Sequence, residues 1–283
     1  MILDLKNRAA VVFGAALLAI IGRDAFYERA QSRRGISGRI ASAFCKGHAG
    51  RVSQNFAIWN AEKDKERITD IALSYYSDDS LHGFADEDFA ARADGKPLLE
   101  QQRGLIIPLV ERAIEKDKPT TVVEIGAANG DVLAYLSAKY PKIEFIGIDL
   151  SVVVAQKKYG SVNSNMRFMK GYALDLLPGL KPDIVFGTST FVVFAPKELG
   201  HYLDALQACN RIIISDPVTM GNKHTADPEP KSRHMDLYMW WHNYFGWLTS
   251  KGWTSVDEFK TVNFAYSHNP NAKIVLISAA RRN

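Results

Sequence analysis

The sequence predicts an α/β protein: a doubly wound, seven-stranded and mostly parallel sheet with a C-terminal antiparallel hairpin, preceded by an N-terminal helical region. Three observations predict it. From Thr120 onward, short β-rich runs alternate with helical stretches, the pattern of parallel strands joined by crossover helices. A small-residue turn follows the first of those strands, and an acid ends the second. The last two strands are close enough in sequence to pair as a hairpin.

The first strand is Thr121-Val122-Val123-Glu124-Ile125, followed by a helix from Gly130 to Tyr140 whose Val132, Leu133, Leu136 and Tyr140 share one side. Glu144 to Asp149 is the second strand, and Ser151 is placed to cap the helix after it. Met166 to Lys170 and Ile184 to Gly187 are the third and fourth strands. A helix with Pro196 at its start and Glu198 in its first turn runs to Cys209. Arg211 to Ser215 is the fifth strand. A long connection leads to a predicted helix over Met235 to Ser250, and strands Thr254 to Val262 and Lys273 to Ala280 close the domain.

Two segments precede this core. Residues 1–51 form an arm holding nine Lys/Arg against Asp4, Asp24 and Glu28, a net charge of +6; the remaining residues therefore net −2. The overall +4 thus belongs to the arm, so the basic pI is poor evidence for a nucleic-acid-binding enzyme. Within the arm, residues 9–22 are an uncharged apolar run of 14, shorter than the roughly 20 residues that a bilayer crossing wants. Its basic flanks favour an anionic cytoplasmic leaflet, so one reading is a membrane anchor on the cytoplasmic face, the other a helix packed on the body or on another subunit. Residues 52–119 read as a charged helical cap, with helices over Asn60–Tyr76 and over Leu98–Lys116, the second kinked or restarted at Pro108. Two cysteines, Cys45 and Cys209, make no disulfide framework and no structural zinc site, which suits a reducing compartment.

The chemistry concentrates at the carboxyl ends of the strands, where open α/β sheets bind their ligands. Glu124-Ile125-Gly126-Ala127-Ala128-Asn129-Gly130 leaves a strand and enters a helix. Gly126 permits a tight turn, Ala127 and Ala128 are small enough for close approach, and Gly130 opens the helix. Asp149 follows 19 residues after Gly130, where a carboxylate can accept from both hydroxyls of a ribose.

With these residues in view, the chain resembles the class I S-adenosylmethionine-dependent methyltransferases over about residues 120–283. VVEIGAANGDVLAYLSAKYP is similar to that family's first motif, FIGIDLS to its second, PDIVFGTSTF to its fourth-strand motif and RIIISDP to its fifth strand. The resemblance implies S-adenosylmethionine as cofactor. It implies that Gly126, Ala127, Ala128 and Gly130 line the methionine moiety with Glu124 beneath, and that Asp149 holds the ribose with Leu150 against the adenine. Tyr172 and Ala173 after the third strand, and Gly187 and Thr188 after the fourth, would form the adenine and sulfonium walls. Two departures stand out: Ala128 occupies the place of a common glycine, and Tyr172 that of a common acid, leaving either ring stacking by Tyr172 or acceptance by Asp175 for the adenine amine.

A nicotinamide oxidoreductase shares the same strand–turn–helix logic, but its Gly-x-Gly-x-x-Gly spacing is absent. A non-catalytic, methyltransferase-like interaction protein at a membrane is the other alternative. For an enzyme, the stretch 216–242 supplies the candidate bases Asp216, His224, Asp227, His234, Asp236 and His242. His234 is preferred because it is expected to begin the helix beyond the loop. Asp216 and His224 lack metal-ligand spacing, so no metal is expected. Tyr238, Trp240, Trp241, Tyr244, Phe245 and Trp247 are expected on that one helix, with Phe191 to Phe194 on the opposite wall. Together with the arm, they point to an apolar acceptor: a small molecule, a lipid-linked hydroxyl or a glycan precursor. Thr188-Ser189-Thr190-Phe191 stands where base-methylating relatives carry an Asn-Pro-Pro-aromatic or Asp-Pro-Pro-aromatic run, which disfavours nucleic acid.

Overall fold

The computed structural model describes residues 97–218, 228–236, 239–253, 255–263 and 273–281. The apolar run 9–22, the arm 1–51, the expected helix over Asn60–Tyr76, and the candidates His224 and Asp227 lie outside the described residues. Among the described residues, no helix is long and apolar enough to cross a membrane.

Nine strands and six α-helices carry the described chain: β1 Thr121–Ile125, α2 Asp131–Lys139, β2 Glu144–Asp149, α3 Val153–Tyr159, β3 Met166–Lys170, α4 Ala173–Leu180, β4 Ile184–Thr188, α5 Pro196–Ala205, β5 Arg211–Val218, β6 Ser232–Asp236, β7 Met239–His242, α6 Tyr244–Ser250, β8 Ser255–Asn263 and β9 Lys273–Ala280, all after α1 Ile107–Asp117. Two short 3-10 turns, Leu98–Glu100 and Gln102–Ile106, lead into α1, so the helix foreseen from Leu98 starts at Pro108's turn instead. Proline is favourable there because its missing N–H falls among the donors that a first turn leaves unpaired.

Seven strands pair in the order β3-β2-β1-β4-β5-β9-β8, and β6 and β7 form a separate hairpin. The inner strands read as apolar because both faces are covered. Val123, Ile125, Ile148, Val185, Ile212, Ile214 and Ile277 pack under α4, α5 and α6, while Val122, Phe145, Phe186, Ile213 and Leu276 pack under α1, α2 and α3. This period of two also assigns sides to the polar residues: Glu124 falls on the α2 face with Val122, and Asp216 on the α5 face with Ile212 and Ile214.

The structure corrects the reading of 235–250. The segment is a hairpin followed by one short helix: Ser232 pairs with His242 and His234 with Trp240, and helix begins only at Tyr244. His234 therefore lies in a strand rather than at a helix start; Trp240 and Trp241 belong to β7 and Tyr244, Phe245 and Trp247 to α6, while Tyr238 lies outside the described residues. Tryptophan and tyrosine suit a pleated surface at least as well as a helix, so an aromatic run alone does not choose. Ser151 is also not a cap: Val152 holds that position, and the buried Ser151 hydroxyl has no hydrogen-bond partner.

At the end of the sheet opposite the glycine turn, Arg211 begins β5 and is 2 % exposed. Its guanidinium donates to Asp117 at the end of α1 (Nη2 to Oδ1, 3.1 Å), to Ser278 Oγ on β9 (3.0 Å), and pairs with Asp257 on β8. Removing one member of a buried pair costs more than the pair contributes, though both carboxylates here are partly wetted and can rehydrate. Arg211→Met should cost about 3 kcal/mol in urea unfolding, and Asp117→Asn about 1 kcal/mol because Asp257 remains.

Candidate functional site

The turn after β1 is strained in a way its sequence only half discloses. Gly126, Ala128 and Gly130 all have positive φ, at 75°, 48° and 78°. The N–H groups of Gly126 and Ala127 both donate to the Ile148 carbonyl at the end of β2 (2.8 and 3.2 Å), and Gly130 donates to the Ala127 carbonyl (2.8 Å). A β-carbon on Gly126 would collide with the Thr190 side chain, and one on Gly130 would lie 2.6 Å from the Phe168 ring. Gly126 thus admits the post-β4 segment and Gly130 the sheet beneath α2. Ala128 holds a left-handed conformation that costs about 1–2 kcal/mol for a residue with a β-carbon.

Asp149 offsets that strain. One carboxylate oxygen accepts the Ala128 N–H (2.7 Å) and the other accepts the Ser151 N–H (3.1 Å). An ionised carboxylate accepts at about four positions, so the same group can brace the turn and accept from a diol.

Glu124 is 3 % exposed and its Oε2 has no hydrogen-bond partner. Burial pushes its pKa well above the carboxylate range, the negative charge of Asp149 adds to this, and Arg103 opposes it. A buried acceptor left without a donor is costly unless something supplies one.

Arg103 was not legible in the sequence. From the Gln102–Ile106 turn its Nη1 donates to Asn129 Oδ1 (2.6 Å), and it pairs with Asp131, the first residue of α2. Asp131 also accepts from Lys158 Nζ (2.8 Å) and Tyr159 Oη (2.7 Å) on α3. Burial alone would raise the Asp131 pKa, but these bonds and the Arg103 charge hold it below the usual range. The contact spans 26 residues and belongs to no short motif.

The remaining expected residues distribute as follows. Leu150 is half-buried beyond β2, and Ala127 is buried. Tyr172 precedes α4, but its hydroxyl donates to Glu198 Oε1 on α5 (3.2 Å) and its ring meets Tyr202 edge-on at 5.7 Å. Burial, then the Glu198 charge, drives its pKa upward. Ala173 is buried in the first turn of α4, and Asp175 is exposed. Gly187 is enclosed by the Ile125 carbonyl and the Phe191 ring, and the Thr188 hydroxyl at the end of β4 has no partner. Phe191, Val192 and Phe194, expected to wall an acceptor pocket, are core residues at 0 %, 2 % and 4 % exposure.

Two of the candidate bases are engaged internally. The buried Asp216 accepts from Tyr244 Oη and from the Thr190 N–H (3.0 Å). The buried His242 has Nδ1 on Ser232 Oγ (2.7 Å) and Nε2 on the Phe194 carbonyl (3.0 Å). His234 and Asp236 lie on β6. Among the described residues, no group of three His, Cys, Asp or Glu side chains could hold a metal ion.

Strand order settles the architecture: β1 lies between β2 and β4, the glycine turn opens where the order reverses, and β9 alone runs against the other strands of the sheet. This is the class I methyltransferase fold. No family model matches the chain. A tRNA (guanine-N(7)-)-methyltransferase of Thermotoga maritima is 41% identical over 70 residues, 23% of this chain, and the chain spans only 22% of that relative's length. Two solved methyltransferases align at a TM-score of 0.49. One is the 1,6-didemethyltoxoflavin-N1-methyltransferase of Burkholderia thailandensis (13% identity, 71% of this chain and 88% of that one). The other is the magnesium protoporphyrin IX methyltransferase of Synechocystis (16% identity, 76% and 97%). The methyltransferase fold rests on the strand order, not on these likenesses.

Gly126→Ala should cost about 2 kcal/mol, from the left-handed φ together with the collision with Thr190. On a Thr190→Ala background the penalty should fall but stay above zero, because only the collision is relieved. Urea unfolding of the two single variants and the double variant reads the coupling.

Proposed function

We propose that the protein is an S-adenosylmethionine-dependent methyltransferase acting on a small-molecule acceptor. The observation that carries this reading is the aim of Asp149: its carboxylate is turned onto the glycine turn at the switch point of the sheet, bonded to Ala128 N at 2.7 Å, with the buried Glu124 below and its Oε2 without a donor.

The donor set fits the cofactor. Glu124 Oε2 lacks a donor, which an ammonium group supplies, and the α2 N-terminus and Arg103 bring positive potential for a carboxylate. Gly126 and Ala128 hold the half-exposed part of the turn, where backbone can approach a ligand closely. Asp149 would take the ribose hydroxyls, with Leu150, Tyr172, Ala173, Gly187 and Thr188 as the neighbouring wall. Tyr172 is held by Glu198 and Tyr202, so it serves as a fixed edge of that wall rather than as an acceptor for the adenine amine. When bound, the cofactor supplies an electrophilic methyl group on a sulfonium. The chain's own work is then alignment of the acceptor, exclusion of water and removal of a proton.

Asp216 and His242 are engaged in internal bonds, which leaves His224, Asp227, His234 and Asp236; of these we take His234, on β6 opposite Trp240, as the base to test first. The half-buried Trp240 and Trp241 of the same hairpin support an apolar acceptor carrying a hydroxyl, and the basic, apolar arm supports one that is lipid-linked or a glycan precursor at a cytoplasmic membrane face.

Calorimetry on the full chain should show binding of S-adenosylmethionine and S-adenosylhomocysteine and none of NAD. Asp149→Ala should weaken it by about a hundredfold, the scale of two hydrogen bonds to a charged group. Tight NAD binding without S-adenosylhomocysteine binding contradicts the assignment. Labelled methyl donor incubated with a membrane lipid extract should label lipid; label confined to protein or RNA contradicts the acceptor. His234→Ala should lower turnover at least tenfold with cofactor affinity unchanged.

A further inference from the structure

The methyl-transfer reading leaves one buried polar assembly unused, on the opposite face of the sheet from Glu124. Asp216, near the end of β5, is fully buried. One of its oxygens accepts the Thr190 N–H (3.0 Å), and the other accepts from Tyr244 Oη of α6. Ser189 is left-handed, with φ of 54°, and its N–H donates to the Ser215 carbonyl (2.8 Å). The Thr190 hydroxyl donates to the Ile125 carbonyl (3.0 Å) and the Thr188 carbonyl (3.1 Å). Its side chain fills the space beside Gly126. The far end of the same segment is held as well, through His242 Nε2 on the Phe194 carbonyl. A chain of contacts therefore runs from α6 through Asp216 and Thr190 to the glycine turn.

We propose that Asp216 is a positioning residue of the glycine turn: its carboxylate holds the Thr190 N–H and so keeps the Thr190 side chain against Gly126, fixing the width available to a ligand. The inference rests on the proposed methyltransferase reading for what that ligand is, but the tether itself is independent of it. A carboxylate suits the task because bonds from backbone N–H to an ionised acceptor are about twice as strong as neutral ones. The titratable groups facing it are Tyr244 and, behind that ring at 5.5 Å, His242. Burial raises the Asp216 pKa to about 7 against the pull of Tyr244 and the backbone bonds. Because the folded-state pKa lies above that of the unfolded chain, the ionised form costs stability, and the cost grows as pH rises from the ordinary carboxylate range through about 7.

The test uses the full chain at pH 8, as wild type, Asp216→Asn and Tyr244→Phe, in three measurements. Asp216→Asn should melt at or above the wild-type midpoint. Amide exchange should accelerate about tenfold or more over residues 189–194 and stay unchanged over the rest of the sheet, and the Kd for S-adenosylhomocysteine should rise about tenfold or more. Tyr244→Phe should move exchange and affinity in the same direction by less. Unchanged exchange over 189–194 overturns the proposal, and so does a lowered midpoint with faster exchange everywhere, which marks a merely structural role. If the wild type binds no S-adenosylhomocysteine while the exchange difference stands, the cofactor reading falls and the tether stands.

Discussion

The bond from Ala128 N–H to the Asp149 carboxylate is the interaction on which the rest of the site depends. It joins the turn after the first strand to the end of the second, and it secures a non-glycine residue in a left-handed conformation that sterics oppose. Without it, the turn would relax toward backbone angles that alanine prefers, and its N–H groups would leave the crevice. One acid thus braces the turn and, in the proposed function, would also take the ribose hydroxyls.

Polar brackets hold the same turn from both faces of the sheet. On the α2 face, Arg103 reaches from the segment before α1 to Asn129 and Asp131, which ties the entry of the domain to the start of the first crossover helix. On the α5 face, Thr190 closes on Gly126 and is held in turn by Asp216. Between them lies Glu124, buried on a strand with its Oε2 without a donor, whereas the buried Arg211 is fully engaged. A buried acceptor in that state is costly unless something supplies a donor, and the proposed cofactor's amino group would do so.

The strands were legible because each is a short apolar run bounded by turn residues, and the order of helices between them leaves few ways to wind a parallel sheet. Glu124, Gly126, Gly130 and Asp149 were legible because their spacing places them at the ends of neighbouring strands. The limits were equally physical. β5 extends through Pro217 to Val218 because β4 has ended at Thr188; the missing proline N–H faces no partner on that side. The β6–β7 hairpin was hidden by an aromatic run compatible with either period. Arg103 and Asp216 act through contacts between residues 26 or more apart, which no local pattern records. Phe191 and Phe194 look like pocket walls by position, yet they are held in the core by Gly187 and Tyr202.

A crystal structure of the full chain soaked with S-adenosylhomocysteine tests the central claim most directly. Both ribose hydroxyls should donate to Asp149 while Ala128 N–H stays bonded to it, with the amino group of the ligand on Glu124. A ligand seated elsewhere, or an Asp149 carboxylate that abandons the turn when the site fills, would contradict it.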